Sequence, residues 1–238
     1  MPRPSANRKP LYDGNEAVAA LAAADPKLGR LMQRTGPFTL RISGFQSPFE
    51  ALAESIVFQQ LHGKAARAIH TRMVESFQGV CGVGVHPSAQ DLLDCPTPQL
   101  RGAGLSANKT LALRDLAAKT LDGTVPPLAR IRRMDDESII EHLTQVRGIG
   151  RWTVEMFLMF RLGRPDVLPV SDYGVRKGFA LTFGKLKPED KVAIGDLPRP
   201  DEMQKRAKKW HPWCSVASWY MWRACDLAKP DAAAKQPG

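Results

Sequence analysis

The sequence predicts an all-α protein. Helix-start punctuation recurs along almost its whole length, only one short stretch, "FTLRISG" at 38–44, alternates as a strand would, and nothing repeats at a fixed period. Asp13-Gly-Asn-Glu16 opens an alanine-rich helix with capping-box spacing. "SPFEALAESIVFQQL" is a stronger start, with Ser47 as N-cap, Pro48 at the first helical position and Glu50 at the third. Its apolar residues Leu52, Ile56 and the row Phe49, Ala53, Val57 keep the 3.6-residue period.

The same reading places helices over 64–77, 88–94, 97–102, 106–121, 135–146, 150–162, 172–184 and 200–210, and a last one from about 214 to 227. Segments 38–46 and 164–171 look like crossings between two helical lobes. The terminal lobe would take 11–46 with 165–228 and the central lobe 47–164, leaving 1–10 and 229–238 as flexible tails.

Composition narrows the function. The formal charge of +10 favours a polyanionic partner and speeds encounter with one, although many basic proteins bind nothing of the kind. The N-terminus "MPRPSANRKP" has no apolar signal core, and no apolar run approaches the ~20 residues a membrane helix needs. The expected location is inside the cell, cytoplasmic or at the nucleoid in a bacterium and nuclear in a eukaryote, with no membrane partner. The four cysteines, Cys81, Cys95, Cys214 and Cys225, contain no CxxC pair, so they do not read as a zinc site, an iron–sulfur cluster or a disulfide framework. Four ordinary thiols in a reducing compartment are expected.

"IIEHLTQVRGIGRWTVEMFLMFRLG" reads as helix, hairpin, helix. Gly148 and Gly150 let the backbone take positive φ and bring consecutive N–H groups to the start of the second helix, where they could hold a phosphate. Arg147 and Arg151 flank that nest. Such contacts position a protein on a nucleic acid without reading its sequence. A tight turn in a helical core is the other reading of a lone GxG.

Beyond the hairpin the pattern extends to "LTQVRGIGRWTVEMFLMFRLGRPDVLPVSDYGVRKG", which resembles the helix–hairpin–helix DNA glycosylase superfamily with its Gly/Pro-rich loop followed by an aspartate. Within it the chain is similar to the DNA-3-methyladenine glycosylase II (AlkA-type) branch, over roughly residues 47–228. "SIVFQQLHGKAA", "LRGAGLSANKT", "DVLPVSDYGVRKG" and "SVASWYMWR" fall in the family's order. The β-domain at the N-terminus of some relatives has no counterpart, so the likeness is to the compact form. It implies two helical lobes with the active site in the cleft between them, double-stranded DNA carrying alkylated bases as partner, and action as a monomer. The reaction implied is monofunctional: flipping out a base such as 3-methyladenine or 7-methylguanine and hydrolysing its N-glycosidic bond, the first step of base excision repair.

The resemblance assigns roles residue by residue. Asp172 would be the catalytic carboxylate, stabilising positive charge on the deoxyribose and orienting or deprotonating water; by position alone it is an N-terminal helix carboxylate, and the two roles are compatible. Ser171 stands where many relatives have a second acidic residue. Trp152 occupies the position at which lyase relatives carry a Schiff-base lysine, and tryptophan cannot be that nucleophile; otherwise it is an aromatic packed at a helix start. Trp222 matches a wall of the base pocket, where an indole face suits a cationic purine. Four of the five tryptophans lie between 210 and 222, and core packing explains most of them. Met156 departs from pockets that carry tyrosine one turn after Trp152.

Leu61 would be the wedge that fills the gap left by the extruded nucleotide, with Gln60 and His62 beside it in the minor groove; a hydrophobic staple is its other reading. Lys64, Arg67 and Lys109 are candidates for phosphate contacts, as the charges of any solvated helix face would be. A monovalent cation, Na or K, would map to the backbone carbonyls of Thr144, Val146 and Ile149, with no other cofactor. Two alternatives share these residues: a non-catalytic helix–hairpin–helix DNA-binding module, which leaves Asp172 and Trp222 without a purpose, and a glycosylase for uracil or mismatched bases.

Overall fold

The structure is a computed structural model describing residues 10, 12–184, 186–187, 190 and 193–228. The tails expected at 1–10 and 229–238 therefore lie outside the described residues, Pro10 excepted. Among those residues every regular element is helical, and no helix is long and apolar enough to cross a membrane. The stretch at 38–44, expected to be a strand, is extended but carries only an isolated bridge at Ile42. Alternation gave it strand character; among the described residues no strand pairs with it.

The chain begins with α1 (Gly14–Ala24) and α2 (Pro26–Thr35). Asp13 caps α1, accepting from Asn15 N at 2.8 Å. A single alanine-rich helix was expected; two form because Asp25 precedes Pro26 and is pushed to extended φ, ψ of −140° and 94°. Next come α3 (Pro48–Phe58), α4 (Gly63–Glu75), α5 (Gln78–Cys81), α6 (Ala89–Asp94), α7 (Thr97–Gly102) and α8 (Ala107–Leu121). Then α9 (Leu128–Ile131), α10 (Asp136–Leu143) and α11 (Arg151–Phe157) complete the central run. The caps are those the sequence announces: Ser47 accepts from Glu50 N, Ser88 forms a full capping box with Asp91, and Asp135 accepts from Ser138 N. Glu50 turns its carboxylate to Gln46 N rather than to the cap residue.

The helix expected over 150–162 changes character partway. It is α-helical to Phe157 and then widens into a π-helical turn over Leu158–Leu162. The chain continues to α12 (Tyr173–Phe183), a short 3₁₀ turn at Ile194–Asp196, α13 (Pro200–Ala207) and α14 (Cys214–Leu227).

Two units emerge. One holds Ser43–Phe157; the other takes the described residues up to Ile42 and those from Leu158 onward. The divisions fall at 42/43 and 157/158 rather than at the expected 46/47 and 164/165. The π-helical turn thus belongs with α12–α14, since Phe160 packs on the α14 residue Trp222.

In the Ser43–Phe157 unit, α3 packs against α8, α4 and α11, burying Leu52, Ile56, Leu113, Leu116 and Val154 completely. In the other unit α1 and α2 pack with α12 and α14, around Leu21, Leu28, Val175, Trp210 and Met221. α12 crosses close over α14. A Cβ built on Gly178 would stand 1.9 Å from the Met221 carbonyl oxygen, so only glycine fits there. Asp25, fully buried, ties the start of α2 to α13: Arg206 donates two hydrogen bonds to it at 2.8 Å, Trp210 Nε1 a third at 3.1 Å, and Lys209 lies 3.2 Å away.

Candidate functional site

Asp172 is the N-cap of α12. Its φ, ψ of −69° and 125° are extended, and its Oδ1 accepts from Val175 N at 2.8 Å. The same oxygen accepts from Trp222 Nε1, also at 2.8 Å. Two donors from two helices thus fix one carboxylate at a helix N-terminus, where the helix dipole favours an anion. Both the capping role and the pairing with Trp222 are met by one side chain.

Trp222 reaches that position because α12 carries glycine where it passes. A Cβ on Gly174 would lie 2.6 Å from Trp222 Cδ1 and 2.9 Å from Nε1. Cys225 Sγ, one turn along α14, donates to the Gly174 carbonyl at 3.3 Å. Phe160 supports the indole from the other element, with ring centroids 5.6 Å apart and planes 34° apart. Trp210 and Trp219 are buried core residues, as the packing explanation requires; Trp222 is half-buried and bonded to the carboxylate. Gly174 and Gly178 were not picked out as site residues by sequence reasoning, although glycines four apart in a helix are a readable sign of close packing. Ser171 is exposed.

In the Ser43–Phe157 unit the expected DNA-contacting residues fall on two loops. The first joins α3 to α4. Gln60, Leu61, His62 and Lys64 are all exposed, with Leu61 showing 40 % of its surface, so it is no staple into the core. Gln60 has φ +57°, the one non-glycine residue in the left-handed region among the described residues. That conformation costs about 1–2 kcal/mol and bends the chain so that Leu61 projects. His62 stands at the N-cap of α4 without a side-chain cap bond. Arg67 is exposed one turn into α4.

Lys109 has a different job from the phosphate contact expected of it. Its ammonium donates to the carbonyls of Val57 and Gln59 at 2.6 and 2.9 Å, closing the end of α3. Burial lowers its pKa. Gln59 in turn donates through Nε2 to the Gly148 carbonyl at 2.9 Å, tying the Leu61 loop to the glycine hairpin.

The hairpin itself differs from expectation in one torsion. Gly148 has φ +77°, but Gly150 is not in the left-handed region, and a Cβ built on Gly150 would meet nothing within 4 Å. The protein's own packing gives no reason for glycine at 150. Among the described residues no acceptor meets the N–H of Gly148 or of Gly150. The N–H of Arg147 is turned inward, donating to Asp115 Oδ2 at 2.7 Å, while the Arg147 side chain stays exposed. Burial opposes the charge on Asp115, yet the Arg147 N–H and the Lys119 ammonium outweigh it and lower its pKa. Lys119 also donates to the Gln145 carbonyl.

Arg151, expected to face DNA, is held by carboxylates instead. It pairs bidentately with Glu137 and through Nε with Glu155 at 3.3 Å. Its charge is largely spent on α10 and α11. Trp152 shows 45 % of its surface, so it is not an aromatic packed into the core, and half-buried Met156 lies one turn along the same helix. Trp152 and Met156 belong to one unit, Trp222 and Asp172 to the other.

Comparisons with known proteins converge. A family model described as the HhH-GPD superfamily base excision DNA repair protein matches residues 53–212. A Schizosaccharomyces pombe protein named DNA-3-methyladenine glycosylase 1 is 33 % identical over 214 residues, 90 % of this chain and 88 % of its own length. Among solved structures, the Schizosaccharomyces pombe 3-methyladenine DNA glycosylase in complex with abasic DNA superposes with a TM-score of 0.72 at 32 % identity, covering 87 % of this chain and 95 % of that one. A DNA-3-methyladenine glycosidase from Bacillus halodurans gives 0.73 at 31 % identity, covering 91 % of each. With the match spanning most of the hairpin unit and running on past α13 to Pro212, the chain belongs to the HhH-GPD superfamily of base excision DNA repair proteins.

Proposed function

We propose that the protein is a DNA N-glycosylase that extrudes an alkylated base from duplex DNA and hydrolyses its N-glycosidic bond. The observation that carries this reading is the Asp172 carboxylate, anchored by Val175 N and Trp222 Nε1 at a helix N-terminus. Relatives named DNA-3-methyladenine glycosylase support the substrate class. As the base departs, positive charge builds on the deoxyribose; a carboxylate whose orientation is already fixed stabilises that charge without reorganising. It also orients the water that attacks C1′, or takes its proton. A purine methylated at N3 or N7 is itself cationic, which weakens the bond and suits an indole face such as that of Trp222.

In this reading Leu61 fills the gap left in the duplex, held in place by the Gln60 conformation and the Lys109 closure of α3. The N–H groups of Gly148 and Gly150, with Arg147 and Lys64, hold phosphates. Arg151 tunes the hairpin through Glu137 and Glu155 rather than adding a full charge. A monovalent cation, Na or K, would take the carbonyls of Thr144, Val146 and Ile149. The donor set fits: Val146 O accepts one N–H, from Ile149, and among the described residues no N–H meets the other two carbonyls. The protein acts as a monomer.

The test is release of free base from methylated duplex DNA by the full chain, followed by a check for strand nicking. Free 3-methyladenine or 7-methylguanine with an intact, alkali-labile strand is the expected result. Binding of the same DNA with no base released would return the protein to a non-catalytic DNA-binding module.

A further inference from the structure

The sequence offers no cysteine pair, yet the fold gathers a mixed cluster that cysteine spacing does not reveal. Asp166, His211 and Cys214 each present one ligand atom, all within 4.8 Å of one another. His211 Nδ1 lies 2.7 Å from Asp166 Oδ2 and 3.7 Å from Cys214 Sγ. The other carboxylate oxygen, Asp166 Oδ1, accepts from Cys214 N at 3.2 Å, so the first residue of α14 holds Asp166 in place.

We propose that Asp166, His211 and Cys214 form a divalent metal site, with Zn(II) the ion their chemistry selects. Thiolate, imidazole and carboxylate together are a borderline donor set of the kind zinc takes. With Zn–S near 2.3 Å and Zn–N near 2.05 Å, tetrahedral ligands place sulfur and nitrogen about 3.6 Å apart, as they already stand. Nitrogen and oxygen need about 3.3 Å, so the carboxylate must withdraw by roughly 0.6 Å from the imidazole. Asp166 does so by exchanging its Oδ2 contact with His211 for the ion, while its other oxygen stays on Cys214 N. That oxygen's bond to Cys214 N is the outer-shell support a ligating carboxylate normally has. His211 is exposed, which leaves the fourth position to water and gives the ion an entry path.

Charge and protons balance. The ion's two positive charges meet one thiolate and one carboxylate; the thiol proton leaves to solvent, and His211 moves its ring proton from Nδ1 to Nε2. Without metal, burial and the neighbouring Asp166 push the Cys214 thiol far up, so it is an inert thiol rather than a nucleophile.

The consequence is local bracing. Segment 164–167 is already strapped to α14: Ser215 N donates to the Pro165 carbonyl at 2.9 Å, and Ser215 Oγ to Arg164 O at 2.7 Å. Val167 N donates to Ser215 Oγ at 3.0 Å. The segment leads to Asp172, and α14 bears Trp222, so the ion would stiffen both supports of the carboxylate. It stands apart from the glycosylase reading and survives that reading's failure.

The test is titration of the metal-free full chain with Co(II), which reports thiolate ligation by a near-ultraviolet charge-transfer absorption. One cobalt per chain with that absorption is expected, retained in Cys81→Ser and lost in Cys214→Ser. Because Cys214 is buried and its replacement tests folding as well as ligation, His211→Ala, at an exposed side chain, is the second arm: affinity falls roughly tenfold or more. In the wild type, Zn(II) raises the thermal midpoint and a chelator reverses it. No thiolate absorption at one equivalent of cobalt in the folded wild type, or an unchanged titration in His211→Ala, overturns the site.

Discussion

At the scale of single residues, the candidate chemistry rests on one hydrogen bond that no sequence pattern announces. Asp172 could be picked out because a helix start follows it, and Trp222 by likeness to relatives; that they touch depends on Gly174, whose missing side chain makes room for the indole. Asn caps a helix about as well as Asp, so Asp172→Asn should fold normally and keep its affinity for DNA. Its amide cannot balance oxocarbenium charge, and single-turnover base release should fall roughly a thousandfold or more. Undiminished release by the folded variant would remove Asp172 from the mechanism. Trp222→Phe keeps an aromatic ring and deletes only the N–H. A hydrogen bond to a charged group contributes about 1.5 kcal/mol or more, so release should drop on the order of tenfold, with a small change in thermal midpoint.

At the scale of elements, most of the helices were legible because their caps and apolar periods are local properties. What was not legible is local structure set by partners far away in sequence. The π-helical turn at Leu158–Leu162 has the same periodicity as the helix before it, and the 38–44 stretch alternates without a strand beside it among the described residues. The hairpin was legible as a turn but not in detail: of its two glycines only Gly148 needs a positive φ. That difference makes Gly150 informative. A Cβ there strikes nothing, so Gly150→Ala should leave the thermal midpoint unchanged while weakening binding to every duplex sequence about equally. Equal affinity in the variant would make the hairpin a turn and no more. Lysines can be sorted by salt. If exposed Lys64 contacts a phosphate, Lys64→Ala should flatten the slope of log affinity against log salt by about one. Lys109→Met should leave that slope alone and lower the thermal midpoint instead, since the carbonyls of Val57 and Gln59 at the end of α3 lose their donor at about 1 kcal/mol.

At the scale of the whole molecule, long-range pairs set both stability and the outcome of the reaction, and sequence reasoning saw few of them. Asp25 carries no motif that singles it out in the sequence. Burial opposes its charge, but hydrogen bonds from Arg206, Trp210 and Lys209 outweigh that and bring its carboxyl down to about 2. A folded pKa below the unfolded one gives stability that is full above about pH 4 and lost as pH falls through 2, on the order of 2 kcal/mol. The gap in thermal midpoint between wild type and Asp25→Asn should therefore be widest near neutrality and close between pH 4 and 2. A gap independent of pH would mean that the carboxylate's charge contributes nothing.

The reaction's outcome depends on which amines stand near the hairpin. By its resemblance to lyase relatives, Trp152 would take the position of a Schiff-base lysine, and its ring is exposed rather than packed away. Three lysines lie on the hairpin's neighbouring elements: Lys64, exposed at the start of α4 and assigned above to phosphate, and two that are occupied within the protein. Lys109 donates to the carbonyls of Val57 and Gln59, and Lys119 to the Asp115 carboxylate at 2.8 Å and the Gln145 carbonyl. An ammonium bound in that way has neither the lone pair nor the reach of a nucleophile. Water is left to attack, and the product should be an unbroken strand with an abasic site. Borohydride should then trap no covalent protein–DNA adduct even at excess protein, and heat or alkali should be needed to break the strand. An adduct formed by the purified wild type and lost on changing one lysine, Lys119 being the first to try, would reverse the assignment to a lyase.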